Sequence, residues 1–325
     1  MTTIRVADRP ALGVYTKIVA GCTFLLLLAG GMVTSTGSGL AVPDWPLSFG
    51  KVMPAMEGGV LYEHGHRMVA TFVGALIVVE ALWLWRAEER RWVRTLGWIA
   101  LGGVVLQGIL GGLTVLLGLP DPVSVSHAGL AEVVFGITVT IAALRSRAWL
   151  AGGPAESVDA DVPSLFSLAV ACAAVLYLQI LLGAVVRHTG AGLAIPTFPL
   201  AYGGLVPPLE SFPVAIHFAH RVGAVVVALI AAWVVARTMR RHKGRSRLVR
   251  PAALLGALIV VQIALGGWVI WSYKAAWVTT AHLGTGALLF ATALTLALRA
   301  RRHLALAPAP AHAPIQPHLE VAEAR

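Results

Sequence analysis

Apolar residues along this chain come in blocks of roughly 20, the length that crosses a hydrocarbon layer about 30 Å thick. Eight such blocks stand at residues 16–35, 66–86, 94–117, 125–144, 164–186, 216–236, 251–271 and 280–298. Each is long enough for a spanning helix, so the pattern predicts an all-α integral membrane protein with eight transmembrane helices. The third and fourth blocks are joined by Leu119-Pro120-Asp121-Pro122, which suits a tight turn.

Composition strengthens this picture. Of the 325 residues, 58% are hydrophobic and 12% charged, where a soluble domain averages about 25% charged. The net charge of +10 would suggest a nucleic-acid partner in a soluble protein. Here the basic residues sit in short segments after even-numbered spans, and no Gly-rich phosphate loop or RNA-binding signature accompanies them. Arg86, Arg90, Arg91 and Arg94 follow the second span, and Arg145 and Arg147 the fourth. Arg237, Arg240, Arg241, Lys243, Arg245, Arg247 and Arg250 follow the sixth, and Arg299, Arg301 and Arg302 the eighth. Basic loops stay in the cytoplasm, so both termini are expected inside and spans two, four, six and eight run inward. Lys51, Arg187 and Lys274 are scattered exceptions. The first span follows Arg5, Arg9 and Lys17 without an A-x-A site and reads as a retained helix. Cys22 and Cys172 both lie inside apolar blocks and read as small core residues. The tail beyond 303, rich in Ala and Pro, is expected to be disordered.

The chain repeats itself. Thr36-Gly37-Ser38-Gly39-Leu40-Ala41 returns 153 residues later as Thr189-Gly190-Ala191-Gly192-Leu193-Ala194. Pro43-Asp44-Trp45-Pro46-Leu47 returns as Pro196-Thr197-Phe198-Pro199-Leu200, and Gln107 with Gly111-Gly112 as Gln262 with Gly266-Gly267. The organisation is therefore a cytoplasmic start (1–15), a first four-helix half (16–147), a linker (148–163), a second half (164–302) and a tail (303–325). Four spans per half give both copies the same orientation, related by an axis along the membrane normal.

Histidines follow the repeat. His66-Arg67 matches His220-Arg221, and His127 matches His282, so each half has one histidine on its second helix and one on its fourth. All four fall at the outer ends of inward-running helices, at about one depth. Ionisable residues inside a membrane are costly and mark function. Two imidazoles on facing helices of a bundle can hold a heme by both axial positions. A zinc site is disfavoured, because neither half supplies a Cys or carboxylate cluster to complete a tetrahedral shell. The halves differ at one place: Glu63, three residues before His66, corresponds to His217, three before His220. Glu63 points to chemistry in the first half, while His217 can approach the second-half site. Arg67 and Arg221 are candidates for binding heme propionates. His64 is expected to face away, His188 to lie in an outer loop, and His242, His303, His312 and His318 to be solvated.

Taken in order, Gly37-Ser38-Gly39-Leu40, Pro43-Asp44-Trp45-Pro46-Leu47, Glu63-x-x-His66-Arg67, His127, His220-Arg221 and His282 resemble the heme A synthase family over about residues 15–300. The resemblance implies oxidation of the C8 methyl of heme O, by successive hydroxylations and loss of water, to the formyl group of heme A. It implies substrate heme O at His66 and His127, catalytic Glu63, and a permanent heme b with iron held by His220 and His282. It further implies product delivery to cytochrome oxidase assembly, with heme O synthase as a neighbour, in the cell membrane. A homo-oligomer is compatible with it, and the electron donor is open. Many bacterial members carry a cysteine pair flanking the Pro-Asp-Trp-Pro stretch; here Val42 and Ser48 stand near those places, so no disulfide forms there. Two other classes compete. A di-heme b-type cytochrome for electron transfer would need no carboxylate in one half alone, and would place hemes at both faces. A transporter with parallel repeats would need polar or broken helices at mid-membrane, whereas these spans read as mostly apolar there.

Overall fold

The computed structural model describes residues 9–151, 155 and 157–306. Every apolar block is a helix: α1 (Pro10–Ser35), α2 (Gly59–Ala87), α3 (Arg91–Leu116), α4 (Asp121–Leu144), α6 (Leu165–His188), α7 (Phe212–Arg241), α8 (Ser246–Trp271) and α9 (Ala276–His303). All eight are long and apolar enough to cross a membrane. Between α4 and α6 lie a single turn, α5 (Arg147–Leu150), and a short strand, β1 (Ser157–Asp159). Helix α2 begins seven residues ahead of its apolar block, at Gly59, and so carries Glu63 and His64 on its first turns.

The halves pack alike. Helix α1 lies against α2 and α4, and α6 lies against α7 and α9. Helices α4 and α9 meet at the centre, flanked by α1 against α9 and α6 against α4; these contacts form the seam between the halves. The apolar windows of α4 and α9 are 44% and 61% buried, against 11% and 17% for α3 and α8, so α3 and α8 are the lipid-facing flanks. They present Trp98, Ile99 and Val105, and Leu254, Val260 and Val261, to the outside. Lipid is as apolar as the core, so close backbone approach drives helix association here. Glycine supplies it: a Cβ on Gly284 would lie 2.5 Å from Leu28, and one on Gly136 would lie 2.9 Å from Phe290.

The arginine-rich end is tied by buried ion pairs. Glu88 accepts from Arg145 Nη1 at 2.9 Å and from Arg90 Nε at 2.8 Å, with Glu88 and Arg145 fully enclosed. Removing one partner of such a pair costs about 3–5 kcal/mol. In the second half, Arg237 pairs with Asp159 and Asp161. The linker is thereby held to α7. It also pairs with the chain beyond α9, since β1 runs parallel to β2 (Leu304–Leu306), Ser157 opposite Leu304. The first residues of the stretch expected to be disordered are therefore ordered by strand pairing. The remainder (307–325), with His312 and His318, lies outside the described residues, as do residues 1–8 with Arg5. His242 and His303, expected to be solvated, are buried. His242 follows the last turn of α7, within electrostatic reach of Asp159 and Asp161, and His303 closes α9 next to β2.

Val52 lies 80% exposed between α1 and α2, and Lys243 is exposed between α7 and α8. With Cys22 and Cys172 replaced by serine, Val52→Cys should react with a membrane-impermeant maleimide on intact cells. Lys243→Cys should react only after permeabilisation. The reverse result would invert the orientation expected from the loop charges.

Candidate functional site

The four histidines share one local construction. His66, His127, His220 and His282 sit on the second or third turn of α2, α4, α7 and α9. Each ring rests against a glycine of the preceding helix. A Cβ on Gly30 would come 3.1 Å from His66 Cε1, and one on Gly111 would come 3.3 Å from His127 Cε1. A Cβ on Gly183 would come 3.0 Å from His220 Cε1, and one on Gly266 would come 3.2 Å from His282 Cε1. These distances are tighter than ordinary van der Waals contact, so a side chain there would displace the imidazole.

The ring nitrogens are largely uncommitted. His66 Nδ1, His127 Nδ1 and His282 Nδ1 are buried without a hydrogen-bond partner, and such groups call for an explanation. Imidazoles that bind an iron through one nitrogen present the other outward, as His220 presents Nδ1 to Gln179. The His220 and His282 ring centroids are 6.5 Å apart. Two metal–nitrogen bonds of about 2 Å, with ring radii of about 1 Å, span about 6 Å, so the separation fits a shared metal. His66 and His127 lie within electrostatic reach of each other. The second-half pair is better braced. Gln179 Nε2 lies 3.0 Å from His220 Nδ1 and donates to the His220 carbonyl at 2.8 Å. Its repeat counterpart is Leu26. An outer partner that fixes ring orientation suits a resident cofactor. Gln107 donates to the His127 carbonyl at 2.9 Å, and Gln262 Nε2 lies 3.4 Å from His282 Nε2.

Above each histidine pair a loop folds back on the bundle, and the two loops correspond at several positions. The Val42 amide donates to Glu63 Oε2 at 2.8 Å, while the Ile195 amide donates to His217 Nδ1 at 3.3 Å. Phe49 and Tyr202 have positive φ values of 54° and 53°, and Gly50 and Gly203 of 69° and 86°. Trp45 covers Gly112 as Phe198 covers Gly267. In the first half Arg67 is the hub. Its guanidinium donates to Glu63 Oε1 at 2.5 Å, Asp44 O at 2.8 Å, Leu47 O at 2.9 Å and Val42 O at 3.2 Å. Arg221 is less engaged: it donates to Ile195 O at 2.9 Å and reaches His217 Nε2 at 3.4 Å, and its Nη1 is buried without a partner. Arg221 thus keeps a donor for an anion that Arg67 has spent on the loop.

Two weaker histidines acquire places. His64 is buried and pairs with Ser48 Oγ at 2.8 Å, so it anchors the loop instead of facing away. His188 is the last residue of α6, not a loop residue, and stands within electrostatic reach of His127. Gly30, Gly183 and Gln179 join the site without a motif of their own, although Gly30 and Gly183 fall at the 153-residue spacing of the loops. Glu80 and Glu132 are buried inside α2 and α4, where a carboxyl group within an apolar block is itself the signal.

Paired imidazoles, repeated in two halves of a bundle of eight apolar helices, suit a porphyrin-binding class of membrane protein. The family described as "Cytochrome oxidase assembly protein" matches residues 13–294. The heme A synthase of Symbiobacterium thermophilum is 37% identical over 249 residues, 74% of this chain and 80% of that protein. That of Shouchella clausii is 31% identical over 268 residues, 81% of this chain and 87% of that protein. The chain belongs to the heme A synthase family.

Asp44 offers a pH test of loop attachment. The amides of Gly50 and Phe49 donate to its carboxylate at 2.8 and 2.7 Å and hold it below the usual carboxylate range. A lowered folded-state value means the contribution is complete above the ordinary carboxylate range and is lost as pH falls through the lowered value. Protection of the Phe49 and Gly50 amides, measured as exchange relative to the intrinsic rate at each pH, should therefore fall only in the acid range. In Asp44→Ala protection should be low throughout, and unchanged protection in that variant would remove Asp44 from the attachment.

Proposed function

We propose that this protein is a heme A synthase, oxidising the C8 methyl of heme O to the formyl group of heme A for cytochrome oxidase assembly. The observation that carries the reading is the duplicated histidine-on-glycine geometry with a carboxylate, Glu63, in one copy and His217 in the other. Substrate heme O would be held by His66 and His127. A permanent heme b would be held by His220 and His282, steadied by Gln179, with Arg221 Nη1 available to a propionate. That bound heme supplies one-electron redox chemistry. Loop charge supports cytoplasmic termini and histidine sites near the outer face of the cell membrane. Heme O synthase and the oxidase assembly machinery follow as neighbours.

Glu63 is set one helical turn from His66. Converting a methyl to a formyl carbon breaks C–H bonds and releases protons at a site the loop shields from water. A carboxylate fixed there by Arg67 and the Val42 amide can accept and return protons, or stabilise positive charge developing on the methyl carbon. Its hydrogen bonds also favour a second role, anchoring the loop. The two roles separate in one variant: Glu63→Gln still offers an oxygen to the Val42 amide but carries no charge.

Glu63→Gln should keep both hemes bound and lower heme A yield about 100- to 10,000-fold, the usual range for a lost acid–base group. Heme O or a hydroxylated intermediate should accumulate in the extracted pigments. Normal heme A yield would leave Glu63 as an anchor only.

His220→Ala or His282→Ala should abolish the low-spin b-type spectrum, whereas His66→Ala and His127→Ala should spare it and stop heme A formation. Survival of the spectrum without both His220 and His282 would overturn the assignment of the halves.

A further inference from the structure

Carboxyl groups inside the spans are unevenly divided. Glu80 and Glu132 are 0% and 3% exposed. Their repeat positions in the second half hold Val234 and Ala287, both buried and both apolar. Glu80 lies fourteen residues from His66, about 21 Å along α2. Glu132 lies five residues from His127, about 7.5 Å along α4.

Glu132 shares a helical face with Gly129 and Gly136, and that face is the seam. A Cβ on Gly129 would meet Leu181 and the Tyr177 hydroxyl of α6, and one on Gly136 would meet Phe290 and Leu294 of α9. Glu132 therefore stands in the wall between the two histidine sites. Its Oε2 is buried without a partner. Tyr177 is its titratable neighbour, with the hydroxyl 3.4 Å from the Gly129 carbonyl and the ring 5.9 Å from Phe290. Across the pseudo-symmetry axis, Tyr177 is replaced by Phe24, which packs 5.9 Å from Phe135. One flank of the seam thus carries a carboxyl and a phenol where the other carries a methyl and a phenyl.

An electron that crosses between two enclosed sites changes the charge on both, and in a low-dielectric interior an uncompensated change is costly. A protonatable group in the dividing wall removes that cost. We propose that Glu132, beside Tyr177, is the proton acceptor that compensates electron transfer across the seam. The proposal rests on the assignment of a low-spin heme to His220 and His282. Cleavage of one methyl C–H bond would leave a carbon radical and release one electron and one proton; a ferric iron held at His220 and His282 would take the electron, becoming ferrous, and the Glu132 carboxylate would take the proton, becoming the acid. The net charge of the seam would be unchanged, and Glu132 would give up its proton when the iron is reoxidised.

The test is infrared difference spectroscopy of the heme-loaded protein, oxidised against dithionite-reduced. Reduction should bring up the carbonyl band of a protonated carboxyl group, shifted in deuterated water. The band should be lost in Glu132→Gln and kept in Glu80→Gln, whose side chain lies far along α2. Tyr177→Phe, which preserves the ring on Phe290, should shift the band. Absence of the band in the wild type, its persistence in Glu132→Gln, or an unmoved band in Tyr177→Phe would overturn the proposal. The visible spectrum of the same samples separates this from the underlying assignment. Loss of the low-spin signal in the wild type would refute the heme reading itself, whereas an intact signal without a carboxyl band refutes only the role of Glu132.

Discussion

The arrangement depends on four places where an imidazole ring rests on the backbone of the helix before it. Gly30, Gly111, Gly183 and Gly266 leave the space for His66, His127, His220 and His282. In lipid there is no hydrophobic gain from merely bringing helices together, so close approach and polar contacts must hold them. The same glycines draw α1 to α2, α3 to α4, α6 to α7 and α8 to α9 while aiming the rings inward. Packing and ligand geometry are one constraint here: a larger residue at any of these positions widens a helix pair and moves a histidine together.

Around this shared frame the halves diverge in chemistry. The second half braces His220 with Gln179 and leaves Arg221 with an unused donor. The first half has Leu26 where the second has Gln179 and Glu63 where the second has His217, and it spends Arg67 on the loop. One copy is built to hold its ring still and the other to hold a charge at a fixed place. A duplicated bundle permits this, because residues outside the four histidine–glycine contacts can change in one copy without disturbing the other.

Much of this was legible in the sequence, for physical reasons. A 20-residue apolar block admits few structures in a membrane, so the eight helices follow from pattern alone. Duplication exposed the histidines, since chance does not place two pairs at spacings of 154 and 155. The hydrogen bonds were less accessible. That Arg67 turns to the loop and away from the bundle depends on where the Asp44, Leu47 and Val42 carbonyls end up, which no spacing encodes. His64 looked idle because helical periodicity says nothing about a loop that returns to cover it. His242 and His303 were misplaced because the short β1–β2 pairing arises between segments with no strand pattern of their own. Glu80 and Glu132 were visible as letters, but only packing shows that they are buried.

Val42 and Ser48 stand near the places where many family members carry cysteines, and both are fully buried and fastened to α2: one through its amide to Glu63, the other through its hydroxyl to His64. Both cysteines of the chain lie within helices. The loop between α1 and α2 is therefore secured by bonds that form as soon as α2 is in place. Its maturation asks nothing of thiol-oxidising enzymes, and the closed loop should be indifferent to the reducing or oxidising state of the compartment it faces.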